Sequence, residues 1–397
     1  QTVSVGVWID VGARYEAPEV NGVAHMLEHM AFKGTERRSA RAIAEAIENV
    51  GGQLNAYTSR EHTAYYARVL ADDLPLAVDL LADILQHSTF EPVELERERT
   101  VILQEIGQVH DTPDDLVFDH FQETAFPDQG LGRSILGPSA IVAAMPRDAL
   151  TDYMSRHYVG RRMVLGAAGR VDHDRLVELA NESFAELAER PDERPEPAHY
   201  RGGERRDQRD LEQAHLILGL PAFGYHDDDF YALQVLSAAL GGGMSSRLFQ
   251  EVRENRGLAY SVFSFASTYA DCGVLGIYAG TGEDEVPELV DVIAGELHQL
   301  VERPESAELV RARAQLKASL MMGLESCFAQ SEELARQLLI FGRQVPEGEV
   351  IERIDAVDEA AIARVGRRIL EGGPPTVTGI GPLDRMPALD VVQRRFC

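Results

Sequence analysis

The sequence predicts an α+β fold of two similar domains, each a mixed or mostly antiparallel sheet flanked by helices. Three observations predict it. Strand-like and helix-like periodicities alternate along the chain. Several neighbouring strands are separated only by hairpin-length turns, a connection open to antiparallel strands and closed to parallel ones. The plan of the first half then recurs in the second, the mark of a duplicated domain. At 397 residues and 45% hydrophobic content the chain is globular and too long for one ordinary core.

Thr2 to Val11 alternates, with Val3, Val5, Val7, Ile9 and Val11 on one face and Ser4, Gly6, Trp8 and Asp10 on the other. That pattern predicts a half-buried strand. Asn21-Gly22 marks a turn, a helix runs from Val23, and Gly34 stops it. A second helix covers Ala40 to Val50, with Ile43, Ala46, Ile47 and Val50 on one stripe. Leu54 to Ser59 and Thr63 to Leu70 read as a strand pair, and Leu74 to Gln86 as an amphipathic helix. Pro92 opens a long helix reaching about Gln108. Further helices are expected over Asp114 to Ala125, Ala149 to His157 and Asp172 to Glu189, with a strand at Met163 to Arg170. Arg190 to Asp210 mixes prolines, glycines and dense charge, which is linker composition. It divides the chain into expected domains 1–200 and 201–397.

The second half restarts with a strand at Ala214 to Leu220. Helices follow at Asp227 to Leu240 and Arg247 to Glu254, then strands at Leu258 to Ala266 and Gly273 to Ala279, then a helix at Glu285 to Val301. Leu54-Asn55-Ala56-Tyr57-Thr58 aligns loosely with Leu258-Ala259-Tyr260-Ser261-Val262. From Ser306 the chain reads as mostly helical, with a closing strand at Thr376 to Ile380. Helices are expected on one side of each sheet.

The net charge of −27 argues against nucleic acid or an anionic membrane as partner and suits a basic peptide. No apolar run reaches membrane-spanning length. Three widely spaced cysteines, Cys272, Cys327 and Cys397, make neither a disulfide framework nor a cysteine zinc site, and suit a reducing compartment. The chain opens at Gln1 inside a strand-like run, so the native N-terminus is expected upstream.

The chemistry concentrates in His25-Met26-Leu27-Glu28-His29. Residues four apart share a helix face, so both imidazoles can converge on one ion, and Glu28 borders that face. His-x-x-Glu-His is the inverted zinc-peptidase pattern. A third ligand is required, and the long helix offers Glu94, Glu96, Glu98 and Glu105. Periodicity does not choose among them, although Glu98 and Glu105, two turns apart, share a face. The second-half helix reads LQVLSAAL at the corresponding place, so the metal site belongs to the first copy only. Gly241-Gly242-Gly243 lacks the Lys-Ser/Thr of a phosphate loop. His62, His87, His110, His120 and His157 have no partner at ligand spacing.

The stretches GVAHMLEHMAFKGT (from Gly22), GGQLNAYTSREHTAYY (from Gly51), ERERTVILQEI (from Glu96) and LGGGMSSRLFQEVRENRGLAYSV (from Leu240) resemble the pitrilysin-type metallopeptidases, nearest to the processing-peptidase catalytic subunits of mitochondria and their bacterial relatives. The resemblance spans essentially the whole chain. It implies one Zn2+ per chain on His25, His29 and Glu105, with Glu28 as general base and Glu98 as a supporting carboxylate. It assigns Arg253 and Tyr260, on the second domain, to the developing oxyanion, and Asn55 and Ala56 to main-chain contact with substrate. Asp115 and Asp119 match acidic positions that grip an arginine next to the cleaved bond, Asp115 standing where near relatives carry Glu. It further implies a chamber closed by two chains, hence unfolded peptides as substrates and a homodimer, or a heterodimer with a metal-free relative. The compartment it implies is the bacterial cytoplasm or the mitochondrial matrix. The same family also contains non-catalytic core subunits of respiratory complexes. Those lose ligands or base, and here all of them stand.

Overall fold

A computed structural model describes residues 1–185, 187 and 194–396. In chain order the elements are β1 (Thr2–Ile9), α1 (Val23–Ala31), α2 (Ala40–Glu48), β2 (Gln53–Thr58), β3 (Thr63–Leu70), α3 (Leu74–Gln86), α4 (Pro92–His110), α5 (Pro113–Ala125), α6 (Ser139–Ala144), α7 (Arg147–His157), β4 (Met163–Gly169) and α8 (His173–Ser183). They continue as β5 (Gly203–Gln208), β6 (Ala214–Ala222), α9 (Phe230–Gly241), β7 (Ala259–Thr268), β8 (Gly273–Thr281), α10 (Val286–Glu302), α11 (Ser306–Gly323), α12 (Cys327–Phe341), α13 (Glu347–Asp355), α14 (Glu359–Leu370), β9 (Thr376–Gly381) and α15 (Leu389–Phe396). Of the expected helix Asp172 to Glu189, residues 186, 188 and 189 lie outside the described residues, as do residues 190–193 of the linker and Cys397.

The first sheet has the order β2-β3-β1-β4 and is antiparallel throughout. The second has the order β5-β9-β6-β8-β7, in which only the β5–β9 pair is parallel. Read from its far edge, β7-β8-β6-β9 reproduces β2-β3-β1-β4 element for element. The duplicated α+β plan is therefore present, and β5 is an addition.

The chain forms two compact units, though not by one cut near residue 200. Residues 1–108, 133–196 and 322–344 make the first; 109–132, 197–321 and 345–397 make the second. Each unit thus takes a helix from the other half of the sequence, α12 into the first and α5 into the second. This changes two expectations. β1 is buried on both faces, not one, because α12 covers the face carrying Ser4, Gly6 and Trp8. There Ser331 Oγ lies 3.0 Å from Ser4 Oγ, and Trp8 packs with Ala64 and Ala335. Both sheets likewise have helices on both faces. In the second unit α5 lays Phe121 against Gly219 of β6, where a Cβ would sit 2.3 Å from the ring.

A third expectation fails at Gly203–Gln208, assigned to the linker by its charge. It is an edge strand, and its Glu and Arg side chains alternate in exposure along an edge that charge keeps from further pairing. Finally, Phe249–Asn255 winds as a π-helical segment where an ordinary helix is expected.

Candidate metal centre

α1 begins at Gly22, whose φ of 97° is left-handed and whose missing Cβ leaves room for the Leu136 carbonyl 2.6 Å from where it would be. Val23, Ala24, Met26, Leu27, Met30 and Ala31 are buried in the first unit's core. What remains of the helix surface is the stripe of His25, Glu28 and His29. His25 is buried, the other two half-buried, and the two imidazole rings meet edge to face, centroids 4.6 Å apart.

α4 brings the carboxylates. Glu105 Oε2 lies 3.7 Å from His25 Nε2 and 3.7 Å from His29 Nε2. Ligand atoms of His25, His29 and Glu105 fall within 4.8 Å of one another, and no other such group of three occurs among the described residues. Two turns earlier Glu98, buried, accepts from His29 Nδ1 at 3.0 Å. That bond places the proton on Nδ1 and leaves Nε2 as the free donor atom facing the cluster. The other Glu98 oxygen is 2.6 Å from Lys33 Nζ. Burial works to raise the Glu98 carboxyl, but Lys33 and His29 together hold it below the usual range. Two imidazole nitrogens and one carboxylate oxygen, with one His oriented by a second carboxylate, is a donor set that fits zinc. For His25, burial and then the neighbouring His29 push the ring down to about 4, so it is neutral at pH 7, as a ligand must be. His25 Nδ1 is buried with no hydrogen-bond partner among the described residues.

Glu28 sits beside the cluster. Burial raises its carboxyl above the ordinary value, opposed by a 2.6 Å bond from Thr58 Oγ1 and by His29. A carboxylate raised in this way is a better proton acceptor near neutral pH than a free one. Thr58 ends β2, the outer strand of its sheet, with one edge unpaired by any strand among the described residues. Asn55 and Ala56 lie on that strand, Asn55 exposed and accepting from Ala56 N at 2.9 Å.

The remaining expected residues lie in the second unit. Arg253 donates from Nη1 to the Tyr260 carbonyl at 3.0 Å, and its guanidinium lies 4.3 Å over the Tyr260 ring. Tyr260 is 75% exposed. Asp115 and Asp119 are one turn apart on α5, Asp115 exposed and Asp119 half-buried. Lys33 and Thr58 escaped the sequence reading. Lys33 is four residues beyond His29, on the same face of a helix read as running to Gly34, which is the signal that was available, although α1 itself ends at Ala31; nothing local to Thr58 points to Glu28.

Two family models match: "Insulinase (Peptidase family M16)" over residues 1–139 and "Peptidase M16 inactive domain" over residues 144–316. His25, Glu28, His29 and Glu105 all fall within the first matched stretch. The chain is 41% identical to a probable mitochondrial-processing peptidase subunit beta of Arabidopsis thaliana, covering all of this chain and 77% of that one. It is 41% identical to an uncharacterised zinc protease of Streptomyces coelicolor, over 96% of this chain and 85% of the other. The human mitochondrial-processing peptidase subunit beta is 39% identical over the full chain and 83% of its own length. In fold, the chain is similar to a protease from Helicobacter pylori, with a TM-score of 0.89 at 23% identity over 96% of this chain and 94% of that one.

Proposed function

Since the chain belongs to the insulinase family of peptidases, we propose that it is a zinc-dependent endopeptidase holding one Zn2+ on His25, His29 and Glu105. The observation that carries the reading is the convergence of those three donors beside a half-buried Glu28. When bound, zinc supplies Lewis acidity toward a water molecule and the scissile carbonyl. Glu28 takes the proton from the attacking water and returns it to the departing amine. Glu98 holds His29 in the tautomer that presents Nε2, and Lys33 holds Glu98. The free edge of β2 suits an extended peptide added as a further strand, with Asn55 and Ala56 at the contact.

Arg253 and Tyr260 are assigned to the oxyanion end and Asp115 and Asp119 to a substrate arginine, a pair of carboxylates suited to a guanidinium. The substrate class is unfolded, basic, presequence-like peptides, taken in a chamber closed by two chains. A homodimer is the simplest closure, because each copy carries both the metal motif and Arg253 with Tyr260. A heterodimer with a metal-free relative is the variant, and relatives named as a beta subunit favour some partner. The compartment is the bacterial cytoplasm, or the mitochondrial matrix. Among the described residues no helix is long and apolar enough to cross a membrane.

The test is metal analysis of the purified protein together with cleavage of a quenched fluorescent peptide library. One zinc per chain, loss of cleavage on chelation and its return on adding Zn2+ are expected. Zinc held tightly without turnover, alone or with any partner, favours the non-catalytic core-subunit reading.

A further inference from the structure

Glu16 is a buried carboxylate that the proposed chemistry does not use. It is 3% exposed, and among the described residues no Lys or Arg forms an ion pair with it. Its Oε2 accepts from Gly22 N at 2.8 Å and from Asn21 Nδ2 at 2.7 Å, and its Oε1 accepts from Ala24 N at 2.8 Å. Arg133 donates to the Glu16 backbone carbonyl, and its charge partly offsets the effect of burial on the Glu16 carboxyl. α1 has no cap from its own N-cap residue, since Gly22 has no side chain. Glu16 therefore supplies from outside the helix the acceptors that its first amides lack, at the end where the helix dipole favours an anion.

We propose that Glu16 is a positioning residue for the metal centre: it clamps the first turn of α1 and so fixes His25, Glu28 and His29 against Glu105. The inference rests on the zinc-peptidase reading. Ala24, held through its amide, is the residue immediately before His25. Holding two amides with two oxygens resists rotation of the helix about its axis, which one hydroxyl cap does not. Side chains reach about 5–6 Å from the axis, so a turn of about 10° moves an imidazole by roughly 1 Å. Zinc–nitrogen distances tolerate about 0.2 Å. A Ser or Asn cap satisfies an amide without burying a charge, whereas burial here drives the carboxyl up to about 7. The arrangement accepts that cost where the helix carries the site.

The experiment compares the full chain with Glu16→Gln and Glu16→Ala, measuring zinc affinity by chelator competition, the visible spectrum of the Co2+-substituted protein, and kcat and KM. Glu16→Ala is expected to weaken zinc binding roughly tenfold, to shift the cobalt bands, and to lower kcat more than it raises KM. Glu16→Gln, which keeps one oxygen acceptor, gives a smaller change in the same direction and serves alone if the alanine variant does not fold. Glu308→Gln in the second unit, which breaks a buried pair with Arg247, is the control: it lowers the melting temperature and leaves zinc affinity unchanged. Wild-type zinc affinity and cobalt bands in both Glu16 variants overturn the proposal and leave the peptidase reading intact. A wild-type chain that binds no zinc overturns both.

Discussion

The helix after β1 and the helix after β6 occupy the same place in two copies of one plan, and they do opposite things. In α1 the stripe left free by the core is His25, Glu28 and His29. In α9 that place is taken by more core, with Leu233, Val235, Leu236, Ala239 and Leu240 all buried. The long helices differ in parallel. Buried Glu98 of α4 turns to His29 and Lys33, whereas buried Glu308 of α11 turns to the Arg247 guanidinium at 2.6 and 2.8 Å. On the proposed reading one scaffold serves as a metal holder or as plain structure, decided by a handful of side chains on two helices and not by the strand order.

The largest expected effect falls on the side chain that makes the first copy chemical. Glu28→Gln keeps the ligands and the Thr58 contact but removes the proton acceptor. Turnover should fall by about 10²–10⁴ with zinc content unchanged by metal analysis. A variant that loses its zinc as well means that Glu28 holds the site together and is misassigned as the base.

The second copy should respond in the other currency. Leu236→Ala deletes a fully buried side chain of α9 and is expected to cost about 2–5 kcal/mol in denaturant unfolding. Zinc affinity should not change. Altered zinc binding in this variant breaks the contrast between a chemical and a structural helix.

Lys33→Met sharpens the contrast within the first copy. It leaves both histidines and Glu105 in place and removes the cation that holds Glu98. Zinc binding should weaken by roughly tenfold, measured by competition with a chelator. No change means that the His29 bond alone fixes Glu98.

How much of this was legible in the sequence follows from the range of each interaction. The His-x-x-Glu-His spacing and the strand-helix order are local, and periodicity exposes them. The repeat was visible because β2 and β7 keep similar runs before similar helices. What escaped is long-range. Nothing near Trp8 says that α12, more than 300 residues later, covers it, so β1 looked half-buried. Glu204, Arg205 and Arg206 read as linker because an edge strand carries charge for the same reason a linker does. Choosing Glu105 over its neighbours required resemblance, since every glutamate of α4 has the same local pattern. Glu16 reaches Ala24 through a bend that no periodicity records.

The smallest effect belongs to the start of α9, where the contrast with α1 is electrostatic. In α1 an acid caps the helix amides. In α9 the N-cap residue Asp229 makes no such side-chain bond; Asp227 accepts from the Asp229 amide at 2.9 Å, and both carboxylates face guanidinium groups of α14. Arg368 bonds Asp227 at 2.6 Å and Asp229 at 3.2 Å while lying 3.9 Å over the Phe223 ring. The Arg368 bond, as the leading cause, holds the Asp227 carboxyl below the usual range. A carboxyl whose folded pKa lies below its unfolded value of about 3.9 contributes stability that is fully present above that value and is lost as pH falls through the folded one. Arg368 is half-exposed, so solvent screening limits the pair to under about 1 kcal/mol. Arg368→Met is therefore expected to destabilise slightly at pH 7 in urea unfolding, with the deficit shrinking as the pH falls below about 4. Any deficit that persists in acid measures the stacking on Phe223, which carries no proton. A deficit that grows on acidification reverses the sign and removes the ion pair from the account of how the metal-free copy starts its helix.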